Sequence, residues 1–82
     1  MRYPDTNEFL EQLGKRIRAL RKEKKLSQRE LGIEALIEKS TIQRIERGLM
    51  NCTVKTLLKI ANALDIEYAE LFKFPAETVT KK

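Results

Sequence analysis

The sequence predicts an all-α domain of five helices. Two observations carry this prediction. Apolar residues recur at three- and four-residue steps along most of the chain, which is the signature of an amphipathic helix. Polar residues that cap helix starts stand before three of those stripes. The length agrees: 82 residues hold one domain, and a domain this small buries only about 60% of its unfolded surface. Helices suit so thin a core, because their backbone hydrogen bonds are made locally.

The first helix is expected over about Thr6 to Lys24. Asp5 followed by Glu8 has capping-box spacing, and Phe9, Leu10, Leu13, Ile17 and Leu20 make one apolar stripe. Gly14 interrupts the stripe at a cost of roughly 1 kcal/mol. After a break at Lys25 and Leu26, Ser27 with Glu30 forms a second capping box. It opens a short helix over about Gln28 to Ala35, weakened by Gly32. Leu36 to Glu38 make a tight connection to a third helix over about Lys39 to Arg47, with Ile42 and Ile45 inward. Gly48 stops that helix, as glycine does after a helix C-terminus. Thr53 caps a fourth helix over about Val54 to Leu64, whose inner face is Val54, Leu57, Leu58, Ala61 and Leu64. A fifth, short helix follows over about Glu67 to Phe72, and Pro75 ends regular structure.

Charge points to the partner class. Lys15 to Lys25 holds seven cations against the single anion Glu23, a larger excess than the +5 of the whole chain. Such a stripe is either a solvated helix face or an attractor of polyanions. A membrane-surface role is disfavoured, since the helix spends its apolar stripe on the core. No apolar run is long enough to span a bilayer, and Met1 to Asn7 have no signal-peptide profile. Cys52 is the sole cysteine, so no internal disulfide forms, which fits a reducing cytosol. With no histidine, no metal-ligand cluster and no phosphate-cradling glycine loop, the sequence argues against an enzyme and calls for no cofactor, metal or small-molecule ligand. Cys52 has no histidine to activate it and is expected as a buried or half-buried free thiol.

Two short helices joined by about three residues suggest a helix-turn-helix. The run Ser27-Gln28-Arg29-Glu30-Leu31, then Ser40-Thr41-Ile42-Gln43-Arg44-Ile45-Glu46-Arg47-Gly48, resembles the Cro/CI-type (Xre) helix-turn-helix family. The likeness continues through Leu57-Leu58-Lys59-Ile60-Ala61-Asn62-Ala63-Leu64 and Glu70-Leu71-Phe72, and covers about Leu13 to Phe72. The resemblance implies a lambda-repressor-like domain, a transcriptional regulator, whose third helix lies in the major groove of duplex DNA. Carried onto this chain, it makes Lys39, Ser40, Gln43 and Arg44 base contacts. Lys39 and Arg44 can donate to guanine O6 and N7, and Gln43 can bind adenine in a bidentate way. Ser40 can read base or phosphate. The family places a phosphate contact at Gln28, where the helix N-terminus adds backbone donors. It places further phosphate contacts at Arg47, Asn51 and Thr53, with Arg18 and also Arg16 and Lys25 helping from the first helix. Arg21 and Glu46 match the family's structural arginine–glutamate pair, which ties the first helix to the end of the recognition helix. Leu31, Ala35, Ile37, Ile42 and Ile45 are expected as core.

The chain departs from the family's pattern in places. Leu36 stands where glycine is usual and a left-handed backbone is often needed, at a cost of roughly 1–2 kcal/mol. Gly32 replaces alanine, Ile33 a polar residue, and Glu38 the usual serine or threonine cap. Ser40 with Gln43 offers a competing capping box two residues later.

The expected organisation is an extension over 1–8, the DNA-binding domain over 9–74 and a flexible tail over 75–82. The expected function is sequence-specific binding of double-stranded DNA as a homodimer on a near-palindromic operator, in the cytoplasm of a prokaryote or on phage DNA. Tyr68, Leu71, Phe72 and Phe74 are the candidate dimer contacts, with core as the other reading of that cluster. The alternative is an antitoxin-type module that neutralises a protein partner and represses its own gene. It is disfavoured because only Met1 to Glu8 and Lys73 to Lys82 are spare.

Overall fold

The computed structural model describes residues 5–74. Four α-helices follow one another: α1 (Thr6–Glu23), α2 (Gln28–Ala35), α3 (Lys39–Glu46) and α4 (Val54–Leu64). The expected fifth helix is instead a 3-10 turn over Tyr68–Phe72. Five residues closed by i→i+3 bonds make one tight turn, and that is all the short Tyr-Ala-Glu-Leu-Phe segment supports. The tail over 75–82 lies outside the described residues.

The helix starts follow the capping residues. Asp5 accepts from the Glu8 N–H at 2.9 Å. Ser27 and Glu30 form the reciprocal box: Glu30 N–H donates to Ser27 Oγ at 3.0 Å, and Ser27 N–H donates to Glu30 Oε1 at 2.8 Å. Thr53 Oγ1 accepts from Thr56 N–H at 3.1 Å. Glu38 stands at the start of α3 without a side-chain cap bond, and the competing Ser40–Gln43 start is not used. The helix therefore opens at Lys39.

All four helices end alike. The residue after the last turn adopts a left-handed backbone, at Lys25 (φ 60°), Leu36 (φ 60°), Gly48 (φ 74°) and Asp65 (φ 58°). Its N–H, and that of the next residue, return to carbonyls of the last turn. In α3, Gly48 donates to Ile45 at 3.0 Å and Leu49 to Arg44 at 2.9 Å. In α2, Leu36 donates to Ile33 at 3.3 Å and Ile37 to Gly32 at 2.8 Å. This is the Schellman pattern, which satisfies carbonyls the helix leaves open.

The core is built from Leu13, Ile17 and Leu20 of α1, Leu31 and Ala35 of α2, Ile42 and Ile45 of α3, Ile60, Ala61 and Leu64 of α4, and Leu71. Ile37 is half-buried against it. Two expectations fail on α4. Val54 is 72% exposed and Leu58 is also exposed, while Ile60 is fully buried. Apolar residues occupy more of α4's circumference than its neighbours cover, so packing against α2 and the 3-10 turn selects the arc centred on Ile60, Ala61 and Leu64. Leu71 is fully buried and so is not a surface contact, and Phe74 is half-buried with its ring edge-on to Phe9 at 5.4 Å.

Gly14 is the contact point between α1 and α3. A Cβ there would collide with the carbonyl oxygen of Ile45 and lie 2.6 Å from that of Glu46. The residue that interrupts the apolar stripe is the one that lets the two backbones meet.

Candidate nucleic-acid interface

The close approach at Gly14 brings the end of α3 beside α1, and there Arg21 and Glu46 meet. Arg21 Nε donates to Glu46 Oε2 at 2.6 Å, and Nη2 donates to Oε1 at 3.0 Å, a bidentate pair. Arg21 Nη1 donates to the Leu26 carbonyl at 2.8 Å, tying the α1–α2 connection to the same knot. Both side chains are buried. The pair expected from the family pattern is therefore present, and it fixes the position of α3 relative to α1.

Around this pair opens a cleft of about 860 Å³, lined by Arg18, Arg21, Ser27, Gln28, Arg29, Lys39, Gln43, Glu46 and Arg47. Its five cations face one carboxylate, and that carboxylate is already taken by Arg21. The remaining field is cationic. The cleft sits where the N-terminus of α2 and the exposed face of α3 converge, so helix N–H groups and basic side chains point to one region.

The residues expected to meet DNA divide into two groups. Arg18, Gln28, Lys39, Gln43 and Arg47 share the cleft. Ser40 and Arg44 are exposed on α3 outside its lining, and Asn51 and Thr53 are exposed on the loop that leads to α4. Thr53 is also the α4 cap. Arg16, offered as a helper on phosphate, is committed elsewhere: its Nε donates to the Glu70 carbonyl at 2.8 Å and its Nη2 pairs with the Glu70 carboxylate at 3.3 Å. Its charge thus serves to hold the 3-10 turn. Lys25 is exposed in its left-handed turn. The sequence reading gave no role to Arg29, which lines the cleft beside Gln28. Its place at the second position of α2 was the available signal.

The turn of the helix-turn-helix carries the largest departure from the family pattern. Leu36 holds the left-handed backbone with its side chain 83% exposed, and Ile33 is exposed beside it. Cys52 is half-buried, and burial raises its thiol pKa above the ordinary value. Among the described residues no group of acidic, cysteine or histidine side chains has the arrangement to hold a metal ion. No helix among them is long and apolar enough to cross a membrane.

Known proteins share this architecture. The profile of the helix-turn-helix family matches residues 17–71. The chain is 40% identical over 68 residues to the HTH-type transcriptional regulator SlrR of Bacillus subtilis, covering 82% of this chain and 43% of that protein. The restriction-modification controller protein C.AhdI from Aeromonas hydrophila has a solved structure similar to this one, with a TM-score of 0.76 at 43% identity over 77% of this chain and 96% of that one. SinR, a master regulator for biofilm formation whose structure was solved in complex with DNA, matches with a TM-score of 0.69 at 38% identity, over 72% of this chain and 95% of that one. The chain spans less than half the length of the curated relatives it matches. By its motif, its packing and these matches, the chain belongs to the helix-turn-helix family of the Xre/Cro-CI type.

Proposed function

We propose that this chain binds double-stranded DNA in a sequence-specific manner to regulate transcription, with α3 in the major groove. The observation that carries the reading is the shared cleft. Lys39 and Gln43 of α3 converge there with Arg18, Gln28, Arg29 and Arg47, and its one carboxylate is neutralised. A duplex offers what this surface lacks: phosphates for the cations and base edges for the α3 side chains. Lys39, Ser40, Gln43 and Arg44 read bases. Gln28, Arg47, Asn51, Thr53 and Arg18, with Arg29, grip the backbone, and the α2 N-terminus adds backbone donors.

The functional unit is a homodimer, with recognition helices about 34 Å apart on a near-palindromic operator. Tyr68 and Phe72, the exposed first and last residues of the 3-10 turn, support this reading. The protein acts in the cytoplasm, on nucleoid or phage DNA.

Selection of bound duplexes from a random pool tests the proposal. The expected product is a two-fold symmetric consensus whose affinity falls steeply with salt, because each neutralised phosphate contributes a log–log slope of about −0.9. Arg44→Ala should relax the preference at one base position at a cost of about 1–3 kcal/mol. An unenriched pool together with salt-independent binding refutes the DNA reading. Uniform weakening of all sequences by Arg44→Ala moves Arg44 to the phosphate group.

A further inference from the structure

The Arg21–Glu46 pair accounts for only part of what the Glu46 carboxylate does. Oε1 also accepts a hydrogen bond from Gln28 Nε2 at 3.1 Å, alongside the one from Arg21 Nη2. A carboxylate can only accept, so the Gln28 amide must turn its nitrogen toward Glu46. Gln28 is the first residue of α2 and half-buried at the edge of the basic cleft. Its nitrogen carries a second hydrogen, for which no protein acceptor stands among the described residues. We propose that Glu46 is a positioning residue for DNA: it holds the Gln28 amide in the pose in which that second N–H meets a backbone phosphate.

This inference rests on the DNA-binding reading and adds to it a role for a residue that does not itself touch the duplex. Three physical points support it. A free glutamine loses its rotamer freedom when a phosphate fixes it, whereas one already fixed by Glu46 has lost that freedom on folding. An anion at the rim of a phosphate site would repel the duplex, but Arg21 neutralises this one through two hydrogen bonds. The same carboxylate that sets where α3 lies against α1 also sets where the first residue of α2 points. The base-reading helix and the phosphate donor are thereby fixed to one atom group.

A purely structural Glu46 would act on folding alone, and a double-mutant cycle on binding separates the two roles. The full chain is titrated with its selected duplex at one fixed salt concentration, as wild type, Gln28→Ala, Glu46→Gln and the double variant, each at a temperature where it is folded. Gln28→Ala is expected to lose roughly tenfold in affinity, the loss of one hydrogen bond to phosphate. Glu46→Gln should also weaken binding, and the double variant should lose no more than Gln28→Ala alone. A folded Glu46→Gln variant with wild-type affinity, or two losses that multiply in the double variant, overturns the proposal while leaving the DNA reading intact. A wild-type chain that binds no duplex sinks both. Should Glu46→Gln fail to fold, nitrogen relaxation of the free wild-type chain decides the matter. The Gln28 side-chain nitrogen is expected to be nearly as ordered as rigid backbone, with an order parameter near about 0.85, and that of exposed Gln43 to fall below about 0.6. Equal mobility of the two amides overturns the proposal.

Discussion

Arg21 and Glu46 show how one buried contact joins stability to function. Each side chain is nearly enclosed, with the arginine fork spent on Glu46 and on the Leu26 carbonyl. Removing one partner of such a pair costs about 3–5 kcal/mol, because the other charge is left buried and unpaired. Gln43 is exposed, and surface truncations stay within about 0.5 kcal/mol. Glu46→Ala should therefore shift the denaturant midpoint far more than Gln43→Ala, and matching midpoints would remove the pair from the account. Leu36 makes the opposite case. Its left-handed backbone costs a leucine roughly 1–2 kcal/mol, and its side chain, 83% exposed, returns little by burial. Glycine there relieves the strain but loses about 0.4–1 kcal/mol through the greater freedom of the unfolded chain. Leu36→Gly is thus expected to stabilise the fold by about 0.5–1 kcal/mol, read as a rise of several degrees in Tm. A lowered Tm would mean that Leu36 makes a contact worth more than the strain it bears.

Helix ends and helix approach decide how the basic cleft is assembled. Every α-helix here ends in the same left-handed closure, yet only Gly48 is the residue that closure favours. That is why the end of α3 was legible in the sequence and the shape of the α2–α3 turn was only suspected. The starts of α1, α2 and α4 were legible for a physical reason: Asp5, Ser27 and Thr53 bond to N–H groups within three residues, so the signal is local. Gly14 is a different kind of residue. Read locally, it costs α1 about 1 kcal/mol relative to alanine. In the fold its missing Cβ is the space occupied by the backbone carbonyls of Ile45 and Glu46. Backbone cannot move aside as a flexible side chain can, and overpacking costs about 1–3 kcal/mol. Gly14→Ala should accordingly lower stability by up to about 2 kcal/mol net, despite its better helix propensity. It should also displace Glu46 and weaken DNA binding. A gain in stability on chemical denaturation would contradict the close approach.

The start of α1 packs against the last described residues of the domain. The Phe9 ring stacks on Phe72 at 6.1 Å and meets Phe74 edge-on, so the start of α1, the end of the 3-10 turn and the residues just after it share one aromatic cluster. Arg16 and Lys73 both bind Glu70, whose carboxyl is held below the usual carboxylate range chiefly by the Lys73 hydrogen bond, with Lys73's charge and then Arg16's adding to it. A depressed carboxylate contributes above its unfolded pKa and is lost as pH falls through the folded one, so this tie is in force at neutral pH. Tyr68 remains exposed beside the cluster. The proposed homodimer predicts that Tyr68→Asp abolishes concentration-dependent association in sedimentation equilibrium while leaving the circular dichroism of the folded chain unchanged. A wild-type chain that stays monomeric at every concentration would rule the dimer out. The chain alone determined its helical class, the starts of α1, α2 and α4, the basic stripe and the family motif, because each is written in local spacing and local hydrogen bonding; the residues of the buried pair, 25 positions apart, followed from the family resemblance and not from any local pattern. The tertiary structure decided which arc of α4 is inside, that Leu71 belongs to the core, that Arg16 serves Glu70 and that Arg29 joins the cleft. It also decided that Glu46 reaches Gln28, because such contacts depend on how helices distant in sequence pack, and no local pattern encodes that.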